Sequence, residues 1–252
     1  MTTSLRGLRS IVLGSTSGIG RAVALALAEA GADVIVHGRR SRSEAERVSS
    51  LCRDRGVKSS VLMSDLSDRN ASDRLVDEAW NLWGGLDSWL HLAGADTLTG
   101  SGAQLSFDEK LDLLLSVDVI SAIRLCRAIG CKMKEAGGGS IVTIGWDQAE
   151  TGMEGDSGEL FSAAKGSVMA FTRSLSLSLA PTVRVNCVAP GWIKTAWGSG
   201  ASQDWHDRVV RETPLQRWGT PEDVADVCRF LVGPEAKFLT GQVVRVNGGV
   251  VR

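Results

Sequence analysis

Hydrophobic and polar positions follow two rhythms along this chain, and the two take turns. Short apolar-rich segments occupy 11–13, 32–38, 57–63, 86–92, 141–144 and 242–246, those at 11–13 and 141–144 nearly uninterrupted. Runs of this length, bounded by glycine and polar residues, suit strands buried on both faces. Between them apolar residues recur every three or four positions, the spacing of a helix with one buried side. The alanine- and leucine-rich stretch 21–32 favours helix by propensity, with Gly31 as its C-cap. A polar amphipathic helix is predicted over 43–55, and a stripe of Leu75, Val76, Ala79, Trp80 and Trp83 predicts another over 68–83. Leu111, Leu114, Leu115, Asp118, Val119, Ala122 and Leu125 predict a long helical stretch over 107–136. Leu160, Ala164, Val168, Phe171, Leu175 and Leu179 predict a helix over 160–179. The helix over 221–233 opens with Pro221 in its first turn. Strands that alternate with helices predict an α/β fold on a parallel sheet.

The first strand leads into GSTSGIG and then directly into a helix. Gly14, Gly18 and Gly20 let the backbone turn tightly, admit a diphosphate close to the main chain, and let helix and strand pack closely. The helix N-terminus then offers its free N–H groups to the phosphates. Glycines alone would be weak evidence, but in a strand–turn–helix–strand context they point to a dinucleotide.

Composition narrows the function classes. The 252 residues carry a formal net charge of -1, so no general basic field argues for nucleic acid. The five cysteines are scattered with no C-x-x-C pair, which reads as reduced thiols in a cytoplasmic protein without a metal site. The opening MTTSLRGLRS has no signal-peptide apolar region. No apolar run reaches the ~18 residues of a membrane helix. There are eight tryptophans and no tyrosine.

The spacing Gly14-x-x-x-Gly18-x-Gly20 resembles the short-chain dehydrogenase/reductase family, and within it the 3-oxoacyl-ACP reductases. The resemblance continues through SDLSD at 64–68, RVNCVAPG at 184–191 and LTGQVVRVNGG at 239–249. It implies a three-layer α/β/α Rossmann fold with a seven-stranded, doubly wound parallel sheet, and one NADP-binding domain over 1–252. It assigns Ser15, Ser17 and Ile19 to the cofactor turn with the three glycines, and Asp65 and Leu66 to the adenine. Ala93 and Gly94 belong under the adenine ribose, and Pro190, Gly191, Ile193 and Thr195 close over the nicotinamide and diphosphate. At the end of the second strand, where an acidic residue would choose NAD, stands Gly38, followed by Arg39 and Arg40. Two guanidiniums suit a 2′-phosphate, so NADP(H) is expected over NAD(H).

The family's chemistry, as the resemblance implies it, uses a tyrosine, a lysine four residues later on the same helix face, and a serine at the end of the fifth strand. Here the helix reads FSAAK: Lys165 is kept and Phe161 stands at the tyrosine position. Trp146 stands at the serine position; Ser157 and Ser162 are the nearest hydroxyls. Phenylalanine transfers no proton, and an indole only donates. His91 and Leu92 replace two asparagines at the end of the fourth strand, with a structural role expected for His91. Asp118 stands where an asparagine holds a proton-relay water; a carboxylate among apolar neighbours must be paired or protonated.

The segment 196–213 resembles the substrate lid, and with Trp146, its Trp197, Trp205 and His206 favour a flat or apolar small molecule. A homodimer or homotetramer is expected, with no nucleic acid or membrane partner. Three readings stay open: an NADP(H)-binding member with impaired ketoreduction; an active reductase of a conjugated C=C or carbonyl using Asp118 and Lys165; and a non-catalytic nucleotide- or ligand-binding regulator.

Overall fold

The six predicted strands and a seventh over 183–190, which the apolar pattern did not predict, form one seven-stranded parallel sheet in the computed structural model, which describes residues 4–251. In chain order its strands are β1 (Arg9–Leu13), β2 (Asp33–Gly38), β3 (Ser59–Met63), β4 (Ser88–His91), β5 (Gly139–Ile144), β6 (Val183–Pro190) and β7 (Val243–Val246). Their spatial order is β3-β2-β1-β4-β5-β6-β7. The winding therefore reverses between β1 and β4, and the crevice at that point lies outside the carboxyl ends of the strands.

Successive strand residues face opposite layers. Val12, Val34, Val36, Leu90, Val142 and Val188 pack on one side with α1 (Gly18–Glu29), α2 (Arg42–Arg53) and α9 (Pro221–Val232). Ile11, Leu13, Ile35, Trp89, Ile141 and Val185 pack on the other with α3 (Arg69–Leu82), α5 (Ser121–Glu135) and α6 (Asp156–Leu179). Both faces are covered, which is why the strands read as apolar-rich segments.

The long stretch predicted over 107–136 is helical but not uniform. It comprises α4 (Phe107–Leu114), a π-helical stretch Leu115–Ile120, and α5. The widened winding falls where Asp118 must face inward among apolar neighbours, and π-turns of this kind recur at functional sites. Helix α6 starts four residues earlier than its apolar spacing predicts. Asp156 and Glu159 sit in its first turn, favourably placed on the helix dipole. Two short helices, α7 (Ala196–Gly200) and α8 (Gln203–Glu212), occupy the segment 196–213.

Candidate active site

The turn between β1 and α1 is built on contacts that only glycine allows. A Cβ at Gly14 would stand 2.6 Å from Ala93 Cα, and one at Gly20 would stand 2.2 Å from the Gly14 carbonyl oxygen. Gly14 also has φ +75°, a left-handed conformation. Ser17 makes no side-chain cap to α1, and no acidic residue occupies its first turn. The helix thus presents amides that its own residues do not satisfy, a ready anion cradle. Ser15 instead turns inward and bonds the Val12 carbonyl.

His37, which the sequence reading passed over, buttresses this turn. The Gly14 N–H donates to its Nδ1 at 3.2 Å, so the proton is on Nε2, which donates to the Ser64 carbonyl at 3.1 Å. Burial pushes the imidazole down to about 4. A lone polar ring at the end of an apolar strand was the available signal. Next along, a Cβ at Gly38 would stand 2.8 Å from Thr16 Cγ2, so a side chain there would have to displace that methyl. Arg39 and Arg40 follow, exposed. Asp65, across from them, is held below the usual carboxylate range; partial burial opposes this, and Ser67 with the two arginines outweighs it. Leu66 is buried.

The crevice floor continues through Ala93, buried, and Gly94, exposed. Asp118 lies directly behind Gly94, Oδ2 being 3.0 Å from where its Cβ would be. Oδ1 accepts the Ala95 N–H at 2.8 Å, and Lys165 Nζ lies 2.8 Å from Oδ2. No donor is aligned on Oδ2, so this contact is charge pairing rather than a directed hydrogen bond. Asp118 is thus neither solvated nor alone. Pro190 is buried, and Gly191 N–H bonds the Val246 carbonyl. Ile193 is buried, and Thr195 Cγ2 lies 3.7 Å from the Cβ position of Gly18, closing the crevice over the glycine turn.

Trp146 and Phe161 meet. Their ring centroids are 6.2 Å apart at 63°, an edge-to-face contact that brings the end of β5 against the first turns of α6. Ser157 sits in the first turn of α6, and Ser162 Oγ is buried without a partner. His91 is buried, with no partner on its Nδ1. Ser121 donates to the Val117 carbonyl, so it accepts from His91 Nε2–H at 3.1 Å. Burial, then the nearby Lys165 charge, push this imidazole down to about 3.

Asp147 is a second residue the sequence reading missed. It is wholly buried beside Trp146, and its Oδ2 accepts from Asn247 Nδ2 at 3.1 Å. Burial, partly offset by that bond, pushes it up to about 6. Nothing in a WDQ tripeptide would have announced it. Beyond lies a tryptophan cluster. Trp192 packs on Trp197, Trp205 and Trp218 with centroids 5.9, 5.3 and 6.4 Å away, and His206 lies 5.1 Å from Trp218.

The enoyl-(acyl carrier protein) reductase family matches residues 14–251. The 3-oxoacyl-(acyl-carrier-protein) reductase FabG of Aquifex aeolicus (strain VF5) is 35% identical over 99% of this chain and 100% of its own. The chain belongs to the short-chain dehydrogenase/reductase family. Cyclohexanol dehydrogenase of Rhodococcus sp. (strain TK6) is 33% identical over 98% of this chain and 97% of its own. A gluconate 5-dehydrogenase from Burkholderia cenocepacia J2315, solved in complex with NADP and tartrate, superposes with a TM-score of 0.87 at 26% identity, covering 98% and 96% of the two chains. The protein is thus a short-chain dehydrogenase/reductase-family oxidoreductase by descent and by fold. No helix among the described residues is long and apolar enough to cross a membrane, and among them no His/Cys/Asp/Glu group could hold a metal.

Proposed function

We propose that this is an NADP(H)-binding member of the family whose ordinary ketoreduction is impaired. The observation that carries the reading is the contact between Phe161 and Trp146, two rings where the family places its tyrosine and serine. General acid–base catalysis contributes roughly 10²–10⁴-fold, and no hydroxyl is available at the tyrosine position to supply it.

The chain's own residues fit the coenzyme. The cradle that a Cβ would fill at Gly14 and Gly20, together with the uncapped amides of α1, suits a diphosphate. In this reading Ser15, Ser17, Gly18 and Ile19 complete the turn. Arg39 and Arg40 take the 2′-phosphate, Asp65 and Leu66 the adenine, and Ala93 and Gly94 the ribose. Pro190, Gly191, Ile193 and Thr195 close over the nicotinamide end, where Lys165 holds the second ribose. Bound there, NADPH supplies a hydride. The whole of 1–252 acts as one domain, with 196–213 as its lid over a small, flat substrate. We place it in the cytoplasm as a homodimer or homotetramer.

A second reading is favoured by the buried Asp118–Lys165 pair. Reduction of a conjugated C=C leaves a carbon to be protonated, and neither a tyrosine nor a carbonyl-holding serine is then required. Asp118 and Lys165 are then the working pair: the ammonium side of the pair supplies the proton, directly or through a water, and the carboxylate holds it in position. NADPH oxidation against ketones and conjugated enoyl thioesters separates the readings. Impaired ketoreduction predicts feeble turnover of ketones with retained NADPH binding. Enoyl turnover abolished by Asp118→Asn selects the second. Brisk ketone turnover unaffected by Asp118→Asn and Lys165→Ala would sink both.

A further inference from the structure

Asp147 is 0% exposed and follows Trp146 in the short 3₁₀ turn Asp147–Ala149, yet the chemistry proposed above leaves its carboxyl unused. Three segments meet on it. Asn247, in the turn after β7, donates from Nδ2 to its Oδ2 at 3.1 Å. Gly191, on the segment assigned to the nicotinamide end, packs against both. A Cβ there would stand 2.7 Å from Asn247 Cβ and 3.0 Å from Asp147 Oδ2. The Gly191 N–H donates to the Val246 carbonyl at 3.0 Å. Asn247 is anchored independently of the acid: Nδ2 also donates to the Val251 carbonyl at 2.9 Å, and Oδ1 accepts the Gly249 N–H at 3.0 Å.

The charged groups around this turn are Arg245 on β7, Arg173 on α6 and Glu150 beside it, and both arginines bond Glu150. Lys165, two turns earlier on α6, pairs with Asp118. Cys187 on β6 stays a neutral thiol, pushed up to about 11 by burial. Of these charges only Arg245 favours the Asp147 carboxylate through space, and Asp147 Oδ1 is buried with no donor aligned on it. An ionised Asp147 leaves a buried charge half answered, so burial favours the neutral acid. Ionisation also pulls Arg245 away from Glu150. Arg245, Val246 and Asn247 are consecutive, so that pull acts on the strand end that holds Gly191.

Given the coenzyme reading above, we propose that Asp147 is a positioning residue for the nicotinamide end, and that coenzyme binds most tightly when Asp147 carries a proton. Neutral, it leaves the Gly191 segment seated on Asn247. Ionised, it displaces the strand end under that segment, and the coenzyme phosphates add repulsion. Binding therefore takes up a proton. Affinity is full below the range in which the free protein loses that proton and falls as pH rises through it. Burial holds the acid up to about 6, which places the fall above that pH.

Fluorescence titration of the full chain with NADH and NADPH, from about pH 5.5 to about pH 8, tests this. NADH is the cleaner probe, because a 2′-phosphate titrates near pH 6 on its own account. NADH affinity should fall at least about fivefold over the range, where one linked proton allows at most about tenfold per pH unit. Asp147→Asn keeps an acceptor for Asn247 and cannot ionise. It should bind as the unaltered protein does at the acid end and lose the fall with both coenzymes; a merely structural Asp147 would change stability and leave the pH profile alone. Calorimetry of NADH binding at about pH 7, in two buffers of different ionisation enthalpy, reads the same linkage without any variant and should show net proton uptake. An unchanged pH profile in Asp147→Asn, or no proton uptake in the unaltered protein, would overturn this proposal while leaving the coenzyme reading intact. Failure of the unaltered chain to bind either coenzyme would overturn both.

Discussion

Lys165 Nζ lies 2.8 Å from Asp118 Oδ2, and the two side chains are 9% and 1% exposed. The pair joins α6 to the π-helical turn and, through the Ala95 N–H on Oδ1, to the segment after β4. Two charges this buried are tolerable only together; removing one partner costs about 3–5 kcal/mol, because the other is left uncompensated. Asp118→Asn and Lys165→Met should therefore each lower stability by several kcal/mol. The double variant should lose clearly less than the sum. Denaturant unfolding of the three proteins checks this, and additive losses would show that the contact couples nothing.

The Phe161–Trp146 contact bears on whether the ordinary chemistry can be restored. Phe161→Tyr puts a hydroxyl one helical turn from Lys165, and Trp146→Ser removes the indole that faces it. The lysine, however, is already engaged by Asp118. Ketone turnover in the double variant should rise above that of the unaltered protein and stay at least about tenfold below an ordinary ketoreductase of the family. The expected deficit is a small part of the roughly 10²–10⁴-fold that acid–base catalysis contributes. Turnover at the family's usual rate would show that Asp118 and Leu92 are harmless departures.

Six of the seven strands, the main helices of both layers and the glycine turn were legible because each has a periodic or steric signature, whereas β6 showed only through the family resemblance of RVNCVAPG. Val12 and Ile11 face opposite layers, and their run is apolar for that reason alone. What was not legible depends on contacts distant in sequence. Asp147 is poised by Asn247, a hundred residues away, and His37 by Gly14, 23 residues away. Asp118 stood out as a carboxylate in an apolar stretch, and the resemblance set it beside Lys165; the 2.8 Å contact itself follows from how α6 packs on the π-turn, which spacing does not encode. The early start of α6 was hidden because its first turn is polar.

Stability should fall as pH is lowered from about 6.5 to about 4. His37 and His91 are held down to about 4 and about 3 when folded, against 6.5 when free. In that window the unfolded chain binds the extra protons, and acid favours unfolding at ~1.4 kcal/mol per pH unit for each. Asp147 works the other way. Raised to about 6 from 3.8, it keeps a proton in the folded state that the unfolded chain has lost, so its contribution fades as pH rises through the same window. Two histidines outweigh one carboxyl. Asp223, held down to about 2 chiefly by Arg217, adds its acid sensitivity below the window. Unfolding free energy measured from pH 4 to 7 should thus slope upward, more steeply in Asp147→Asn and less steeply in His37→Gln. A flat profile, or the opposite ordering of the variants, would contradict the burial of these groups.

The proposed preference for NADP(H) rests on Arg39 and Arg40 at the end of β2, exposed and close enough to Asp65 to act on its carboxyl. No acid stands at that strand end to bond a ribose 2′-hydroxyl: the position is Gly38. A 2′-phosphate would meet two guanidiniums instead, with charge-assisted bonds of about 1.5–3 kcal/mol each. The double variant Arg39→Ala with Arg40→Ala should lose at least about tenfold in NADPH affinity while NADH affinity changes little, since NADH has no phosphate there. Raising the salt concentration should weaken NADPH more than NADH in the unaltered protein and equally in the variant, because exposed charges are screened. Fluorescence titration with both coenzymes reads each of these directly, and tighter NADH than NADPH binding in the unaltered chain would reject the assignment.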